Sequence, residues 1–303
     1  MYAWEHIQKT LDYIEENIGS EIEIEVLANI ASLSFFYYHR LFSRLVRKPV
    51  REYIKLRRLA RACESLADKD KRIIDIALDY GFGSHETFTR AFKDAYSLTP
   101  SEFRNNPVAL NSFQKPDLLL NYVVVDEGVP LVSDGMVLEM NPRALEEPLY
   151  FLGLVGHINK NSQIPIGAVT GVSQVSAVWE RFEQEAHKIN RKPNGRGFGV
   201  SFIGDAPRGS FSYFAGTEVD EGIRHEEFRL WKLPSQEYIV CGFEAENFEE
   251  LVNSALGKAM NYIWGWIKRH GLESISFMTE HYICKSDVAY MELWQPVWQN
   301  KSK

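Results

Sequence analysis

Apolar residues recur at three- and four-residue intervals through the first third of the chain, the period of an amphipathic helix. Ile7, Leu11, Ile14 and Ile18 line one face of a helix expected over residues 4–18, and Gly19 stops it. Helical patterning continues to about residue 104. Over residues 51–67 the apolar face is Leu56, Leu59, Ala60, Cys63 and Leu66, with Arg57, Arg58 and Arg61 expected on the opposite, outward side. A helix of that length is a rod of roughly 25 Å. Between 105 and 120 the text changes: Asn-Asn-Pro, Asn-Ser and Lys-Pro read as a linker. Beyond it, strands are expected at 122–125, 136–140, 149–155, 197–203 and 211–215, then at 228–233, 238–245, 275–283 and 288–293. One helix falls within each set, near 173–189 and 248–270. The order predicts a duplicated β-α-β-β unit with a period of roughly 85–90 residues.

Within the helical third, two stretches are variants of one unit. The first runs Leu27-Ala28, Ala31-Ser32, Ser34 and Arg40-Leu41-Phe42; the second runs Ile76-Ala77, Tyr80-Gly81-Phe82, Ser84 and Arg90-Ala91-Phe92. Each closes with a short loop and a proline-to-aromatic segment, Pro49 to Tyr53 and Pro100 to Phe103. Both read as helix-turn-helix motifs, and two on one chain let a monomer address successive turns of a major groove, about 34 Å apart. Tyr38, Leu41, Phe42 and Leu45 form the core stripe of the first reading helix; Phe88, Ala91, Phe92 and Ala95 form that of the second. That leaves Phe36, His39, Arg40, Ser43 and Arg44 outward in one, and His85, Glu86, Thr89, Arg90 and Lys93 outward in the other. Arginine suits guanine, Thr or Phe a thymine methyl, and Glu the amino group of cytosine. Arg44 and Lys93, near the helix ends, suit phosphates, which position a protein without reading sequence.

The net charge of −7 looks wrong for a nucleic-acid partner until it is divided. Residues 1–106 hold 16 Lys+Arg against 16 Asp+Glu, leaving 18 against 25 elsewhere. Nine basic residues and one acid, Glu52, fall within 34–61, a density that phosphate neutralisation requires. Three distant cysteines, Cys63, Cys241 and Cys284, argue against a disulfide framework or zinc cluster and fit a reducing cytoplasm. No apolar run approaches the roughly 20 residues of a bilayer span, and no leader is visible, so a cytoplasmic protein away from membranes is expected. Phosphate-loop, metal-ligand and Ser-His-Asp patterns are missing from the text, so neither a cofactor nor a metal is expected.

The helical third resembles the AraC/XylS family of bacterial transcription regulators over about residues 5–106. The resemblance is carried by Ile73-Ile74-Asp75-Ile76-Ala77, Gly81-Phe82, Ser84, Phe88, Arg90-Ala91-Phe92-Lys93 and Thr99-Pro100-Ser101-Glu102-Phe103-Arg104. It implies seven helices in two helix-turn-helix subdomains, with promoter DNA and RNA polymerase as partners. Carried over by position, base contacts fall on Phe36, His39 and Arg40, then on His85, Glu86, Thr89 and Arg90. One departure is Ser97, where the family usually has Gly.

Aromatics are dense in the second half, and two acidic residues sit in strand-like text beside tyrosines: Glu280 with Tyr282, and Glu292 with Tyr290. A carboxylate among aromatic rings suits a flat, lipophilic cation. Residues 121–298 resemble GyrI-like effector-binding domains through the duplicated order, the Phe277 to Tyr282 stretch and the ending Tyr290-Met291-Glu292-Leu293-Trp294-Gln295-Pro296-Val297. That resemblance implies a pocket between the pseudo-repeats, with Glu280, Tyr282, Tyr290, Glu292, Trp264 and Trp294 as candidate lining. Which glutamate faces the ligand stays open. The expected architecture is an all-α tandem helix-turn-helix domain (1–106), a linker (107–120) and an α+β sensing domain (121–303). The leading function is a ligand-responsive transcription regulator. The rival is a hydrolase of small electrophiles, with Glu280 or Glu292 as base and its tyrosine as partner.

Overall fold

A computed structural model describes residues 2–163, 167–274, 277–284 and 289–299. The chain divides into two compact units, Met1–Tyr122 with Ile164–Ser173, and Val123–Gln163 with Gln174–Lys303. Among the described residues, the first is helical apart from one short strand pair, and the second is built on a large antiparallel sheet. Among the described residues no helix is long and apolar enough to cross a membrane.

Among the described residues, the first unit begins with seven helices: α1 (Ala3–Glu16), α2 (Ile24–Ile30), α3 (Phe35–Val46), α4 (Val50–Leu66), α5 (Ile73–Asp79), α6 (His85–Tyr96) and α7 (Pro100–Asn105). Each motif is shaped by the same local devices. Ser32 and Gly81 take left-handed φ values of 55° and 70° in the tight turns. There the Leu33 and Phe82 amides donate back to Ala28 O and Ala77 O, both at 2.9 Å. The Ser34 and Ser84 hydroxyls then cap α3 and α6 by accepting from the amides of Tyr37 and Thr87. Arg47 and Ser97 end the two helices with left-handed φ values of 59° and 63°. Thr99 and Glu102 form a capping box at α7, with Pro100 at its first turn. The first core gathers Leu27, Tyr38, Phe42, Val50 and Tyr53; the second gathers Leu59, Ile76, Phe88, Phe92 and Tyr96. Helix α4 supplies both, so it is packed along its length.

That packing corrects the expected outward stripe of α4. Arg57 is only 8% exposed. Its Nε and Nη2 donate to the two oxygens of Glu15 at 2.7 and 2.8 Å, and Nη1 donates to Phe113 O at 2.5 Å. Position 57 lies one helical turn beyond the core residues Tyr53 and Ile54, which carries it inward. The Arg58 guanidinium is also engaged, donating to Ile18 O, Ser20 O and Gly81 O. Arg61 remains 40% exposed.

The stretch after α7 is held in the same unit. Strand β1 (Leu110–Asn111) pairs antiparallel with β5 (Gly171–Val172), and Phe113 and Leu118 enter the first core. The strand expected at 122–125 does not form. Leu118–Tyr122 is a helical turn, α8, because Asp117 Oδ1 accepts from the amides of Leu119 and Leu120.

In the second unit the strands are β2 (Leu131–Ser133), β3 (Met136–Ala144), β4 (Leu149–Asn159), β6 (Gly197–Phe202), β7 (Ser210–Val219), β8 (Arg229–Leu233), β9 (Glu237–Ala245), β10 (Leu272–Ser274), β11 (Met278–Cys284) and β12 (Ala289–Gln299). Residues 275–276 and 288, at the edges of two expected strands, lie outside the described residues. The sheet order is β2-β3-β9-β12-β11-β6-β7-β4-β8, with β10 added to β12. Short helical turns α9 (Lys160–Gln163) and α11 (Phe248–Glu250) precede the two main helices, α10 (Gln174–Glu185) and α12 (Leu256–Arg269). The predicted duplication is therefore present: β4-α10-β6-β7 and β9-α12-β11-β12, joined where β6 pairs with β11. That joint is symmetric about Gly199 opposite Glu280, flanked by Phe198 opposite His281 and Val200 opposite Thr279.

Candidate DNA-reading helices and an aromatic sheet face

The outward residues of α3 and α6 stand as a helical period requires. Phe36 is 68% exposed; Arg40, Arg44, Glu86, Arg90 and Lys93 are exposed, and His39, His85 and Thr89 are half-buried. Arg40 and Arg90 occupy equivalent places, each two residues before the buried ring (Phe42, Phe92) that anchors its helix. The structure adds two residues that periodicity did not single out: Phe35 and Tyr37 flank Phe36 and are also exposed. An unbroken aromatic run directly after the Ser34 cap was the available signal. The His39 ring meets Phe35 edge-on at 4.5 Å, which fixes the imidazole on that surface. The Glu86 carboxyl is held below its usual value, chiefly by a backbone amide of its own helix start and by Ser84. It is therefore an anion, able to accept from cytosine.

The two candidate carboxylates of the second unit are on opposite faces of the sheet. Glu280 pairs with Leu293, whereas His281 pairs with Glu292, and successive side chains point to opposite sides. Glu280 lies on the face covered by α10, whose Val178 and Phe182 pack against Leu152, Tyr213 and Ala215. The hydroxyls of Tyr213 and Tyr282 donate to Glu280 Oε2 at 2.6 and 2.8 Å, and Trp179 Nε1 donates to Tyr213 at 3.0 Å. A Cβ on Gly199 would come within 2.8 Å of that same carboxylate oxygen, so the glycine makes room for it. Burial raises the Glu280 carboxyl above its usual value, only partly offset by the two hydroxyls. Burial, and then the neighbouring Glu280 charge, raises both tyrosines.

Glu292 lies on the other face, whose core cluster is made entirely of strand and loop residues. Phe151, Phe198, Phe214, Tyr238 and Trp294 are buried there, with Trp231, Phe202 and Phe277 packed against them. Phe151 stacks on Phe198 at 3.9 Å, and His281 lies between Phe198 (5.2 Å) and Trp294 (4.6 Å). Arg143 grips Glu292 with both terminal nitrogens at 2.9 and 3.2 Å. Tyr290 Oη and Trp294 Nε1 donate to the same carboxylate at 3.0 and 2.8 Å. Burial, and after it the charges of Arg196 and Arg143, push the His281 imidazole well below its ordinary value, so it is neutral.

The sequence-derived residues thus separate into Glu280 with Tyr282 on the helix-covered face, and Glu292 with Tyr290 and Trp294 on the aromatic face. Trp264 joins neither group; it stands 43% exposed on α12. Its neighbours Tyr262 and Trp266 turn inward to the amide and carbonyl of Val125. Sequence reasoning missed Arg143 and Arg196. Arg143 lies beyond the expected end of its strand, and its partner Glu292 is far along the chain.

Two capped helix-turn-helix readers followed by a duplicated β-α-β-β sheet with an aromatic face define a DNA-binding regulator joined to an effector-binding domain. The helix-turn-helix domain family matches residues 27–106, and the family described as integron-associated effector binding protein matches residues 159–297. The chain belongs to the AraC family of transcription regulators, and its second half is similar to effector-binding domains over the matched residues. An uncharacterized HTH-type transcriptional regulator of Bacillus subtilis, YbfP, is 45% identical over 34% of this chain and 35% of its own length. The probable transcription factor PqrA of Proteus vulgaris is 44% identical over 31% of this chain and 75% of its own. The solved structure of SAV2435 bound to tetraphenylphosphonium is 20% identical, covering 53% of this chain and 94% of that one, with a TM-score of 0.40.

Proposed function

We propose that this chain is a one-component regulator in which a small molecule held by the second unit changes how the first engages promoter DNA. Phe36, His39 and Arg40 of α3, and His85, Glu86, Thr89 and Arg90 of α6, read base edges; Arg44 and Lys93 hold phosphates. RNA polymerase is the partner through which promoter occupancy becomes a change in transcription. The reading is carried by the twin exposed arginines, Arg40 and Arg90, at equivalent positions of two capped helices in one compact unit. We take the aromatic sheet face as the effector's, since its described core rings all come from strands and loops and stand beside the polar groups of Arg143 and Glu292. A ligand biases the outcome only by binding two states of the protein unequally.

The hydrolase reading finds no support at either carboxylate. Glu292 has its acceptor positions taken by Arg143, Tyr290 and Trp294, and Glu280 is buried on the helix-covered face. The test is salt-dependent binding to the chain's own promoter region. Arg40→Ala and Arg90→Ala should each abolish sequence preference, and Trp231→Arg should abolish the response to effector with DNA binding intact. Retention of promoter preference in both arginine variants would remove the DNA-reading assignment. An unaltered effector response in Trp231→Arg would remove the assignment of the aromatic face.

A further inference from the structure

We infer, resting on the reading of the chain as an effector-controlled DNA-binding regulator, that residues 167–173 are a backbone clasp through which α10 sets the DNA affinity of α6. In the sequence these residues lie between β4 and α10, yet they are built into the helical unit. Strand β5 pairs with β1, Leu110 opposite Val172 and Asn111 opposite Gly171. The Ser173 amide donates to Ala109 O and the Gln114 amide to Gly167 O, both at 2.7 Å. Ala168 packs on the first helical core, Leu110 on the second, and β5 runs beside α6. Gln114 follows Phe113, whose carbonyl accepts from Arg57, so the clasp is anchored to α4. Its path needs glycine: Gly167 has a φ of 75° with the Gln114 side chain against it, and Gly171 has a φ of 144°.

The chain passes from this clasp straight into α10. Ser173 bonds to Ala109, and the next residue, Gln174, opens the helix and accepts from the Asn159 amide at 2.8 Å. Farther along, Val178 and Phe182 pack on Tyr213 and Ala215, and Trp179 donates to the Tyr213 hydroxyl. Phe214, between those two strand residues, belongs to the aromatic face. A ligand that moves the rings of that face thus moves the strand on which α10 rests, and α10 pulls on β5. The strand pair is two residues long, short enough to open and close on its own. With the clasp closed, Glu86, Arg90 and Lys93 of α6 are exposed, so closure supports the reading helix and does not mask it. DNA binding and closure therefore favour each other, by the same factor in both directions.

The experiment uses the full chain, a duplex of its own promoter region and hydrogen exchange read by mass spectrometry. Saturating duplex should slow exchange of the Ser173 and Gln114 amides and of the first turns of α10 by about tenfold. The side chain of Gly171→Val meets open space, but a β-branched residue resists that φ, so the variant should release β5. It should bind the duplex about tenfold more weakly, with no slowing in α10. A Gly-Ser-Gly-Ser insertion between Ser173 and Gln174 keeps the strand pair and slackens the link. That chain should hold duplex affinity within about twofold of the parent and lose the slowing in α10. Circular dichroism reports whether Gly171→Val folds, and the insertion decides the matter if it does not. The inference is overturned if duplex leaves α10 exchange unchanged in the parent, if the inserted chain shows the full slowing, or if folded Gly171→Val binds as the parent does. A parent with promoter preference and a silent α10 sinks the clasp alone; a parent without that preference sinks the regulator reading and the clasp with it.

Discussion

Replacing Arg57 by methionine separates a structural arginine from a DNA-contacting one. The substitution keeps the length of the side chain and removes its charge, leaving the Glu15 carboxylate in a site where both side chains are about a tenth exposed. Breaking a buried pair by removing one member costs about 3–5 kcal/mol, because the remaining charge is uncompensated. The lower end applies here: Glu15 keeps the Tyr53 hydroxyl at 3.2 Å and Arg61 at 3.6 Å. Burial by itself raises the Glu15 carboxyl, but the hydrogen bonds and charge of Arg57, with Arg61 and Tyr53, hold it below its usual value. A carboxyl depressed in the folded state contributes stability above its unfolded pKa and loses it as pH falls through the folded one. With Arg57 gone the depression disappears, so the penalty of Arg57→Met is largest at neutral pH and shrinks as acid protonates Glu15. Urea unfolding followed by far-UV circular dichroism measures this, with exposed Arg40→Met as the control expected within about 0.5 kcal/mol of the parent. The salt dependence of DNA binding supplies the second readout. Arg57→Met should leave the slope of log affinity against log salt unchanged, whereas Arg44→Met should flatten it by about 0.9. A penalty for Arg57→Met no larger than the Arg40 control, or a flattened slope, would refute the reasoning.

Three further outcomes follow from the geometry. Ser97 holds a φ of 63°, so Ser97→Gly should raise stability by about 0.5 kcal/mol by relieving the left-handed penalty; a lower urea midpoint would contradict this. Ser34→Ala and Thr99→Ala remove capping hydroxyls of α3 and α7, and each should cost about 1 kcal/mol in the same unfolding experiment. Because the Glu280 carboxyl is raised in the folded protein, its contribution is present at acid pH and declines as pH rises through the folded value. Glu280→Gln should therefore gain on the parent with rising pH, and a stability difference that grows against the variant toward neutral pH would count against this.

The helical half was legible because its instructions are local. Ser34, Ser84, Gly81 and the Thr99–Glu102 box each act within three or four residues, and the rings that fill each core recur at helical spacing. Arg57 was misplaced for the opposite reason. Its partner Glu15 is 42 residues away, and α4 is enclosed by two cores, so a polar position did not mean a wet one. The strand expected at 122–125 and the linker expected up to 120 missed the helical turn at Leu118–Tyr122, because apolar residues outweighed the single capping carboxylate of Asp117.

The sheet shows where local reading stops. Glu280-His281-Tyr282 and Tyr290-Met291-Glu292 are the same pair written in opposite directions, and in both the tyrosine hydroxyl donates to the carboxylate two residues away, at 2.8 and 3.0 Å. That much follows from the two-residue repeat of a strand. The face does not, because parity within one strand says nothing about parity in its neighbour. It is decided by a single register, Glu280 opposite Leu293. A slip of one residue would turn both carboxylates to the same side, where Tyr213 and Arg143 could not each have one. The aromatic face and the helix-covered face differ chemically because this register separates two otherwise equivalent acids, one left to be raised by burial and one neutralised by an arginine.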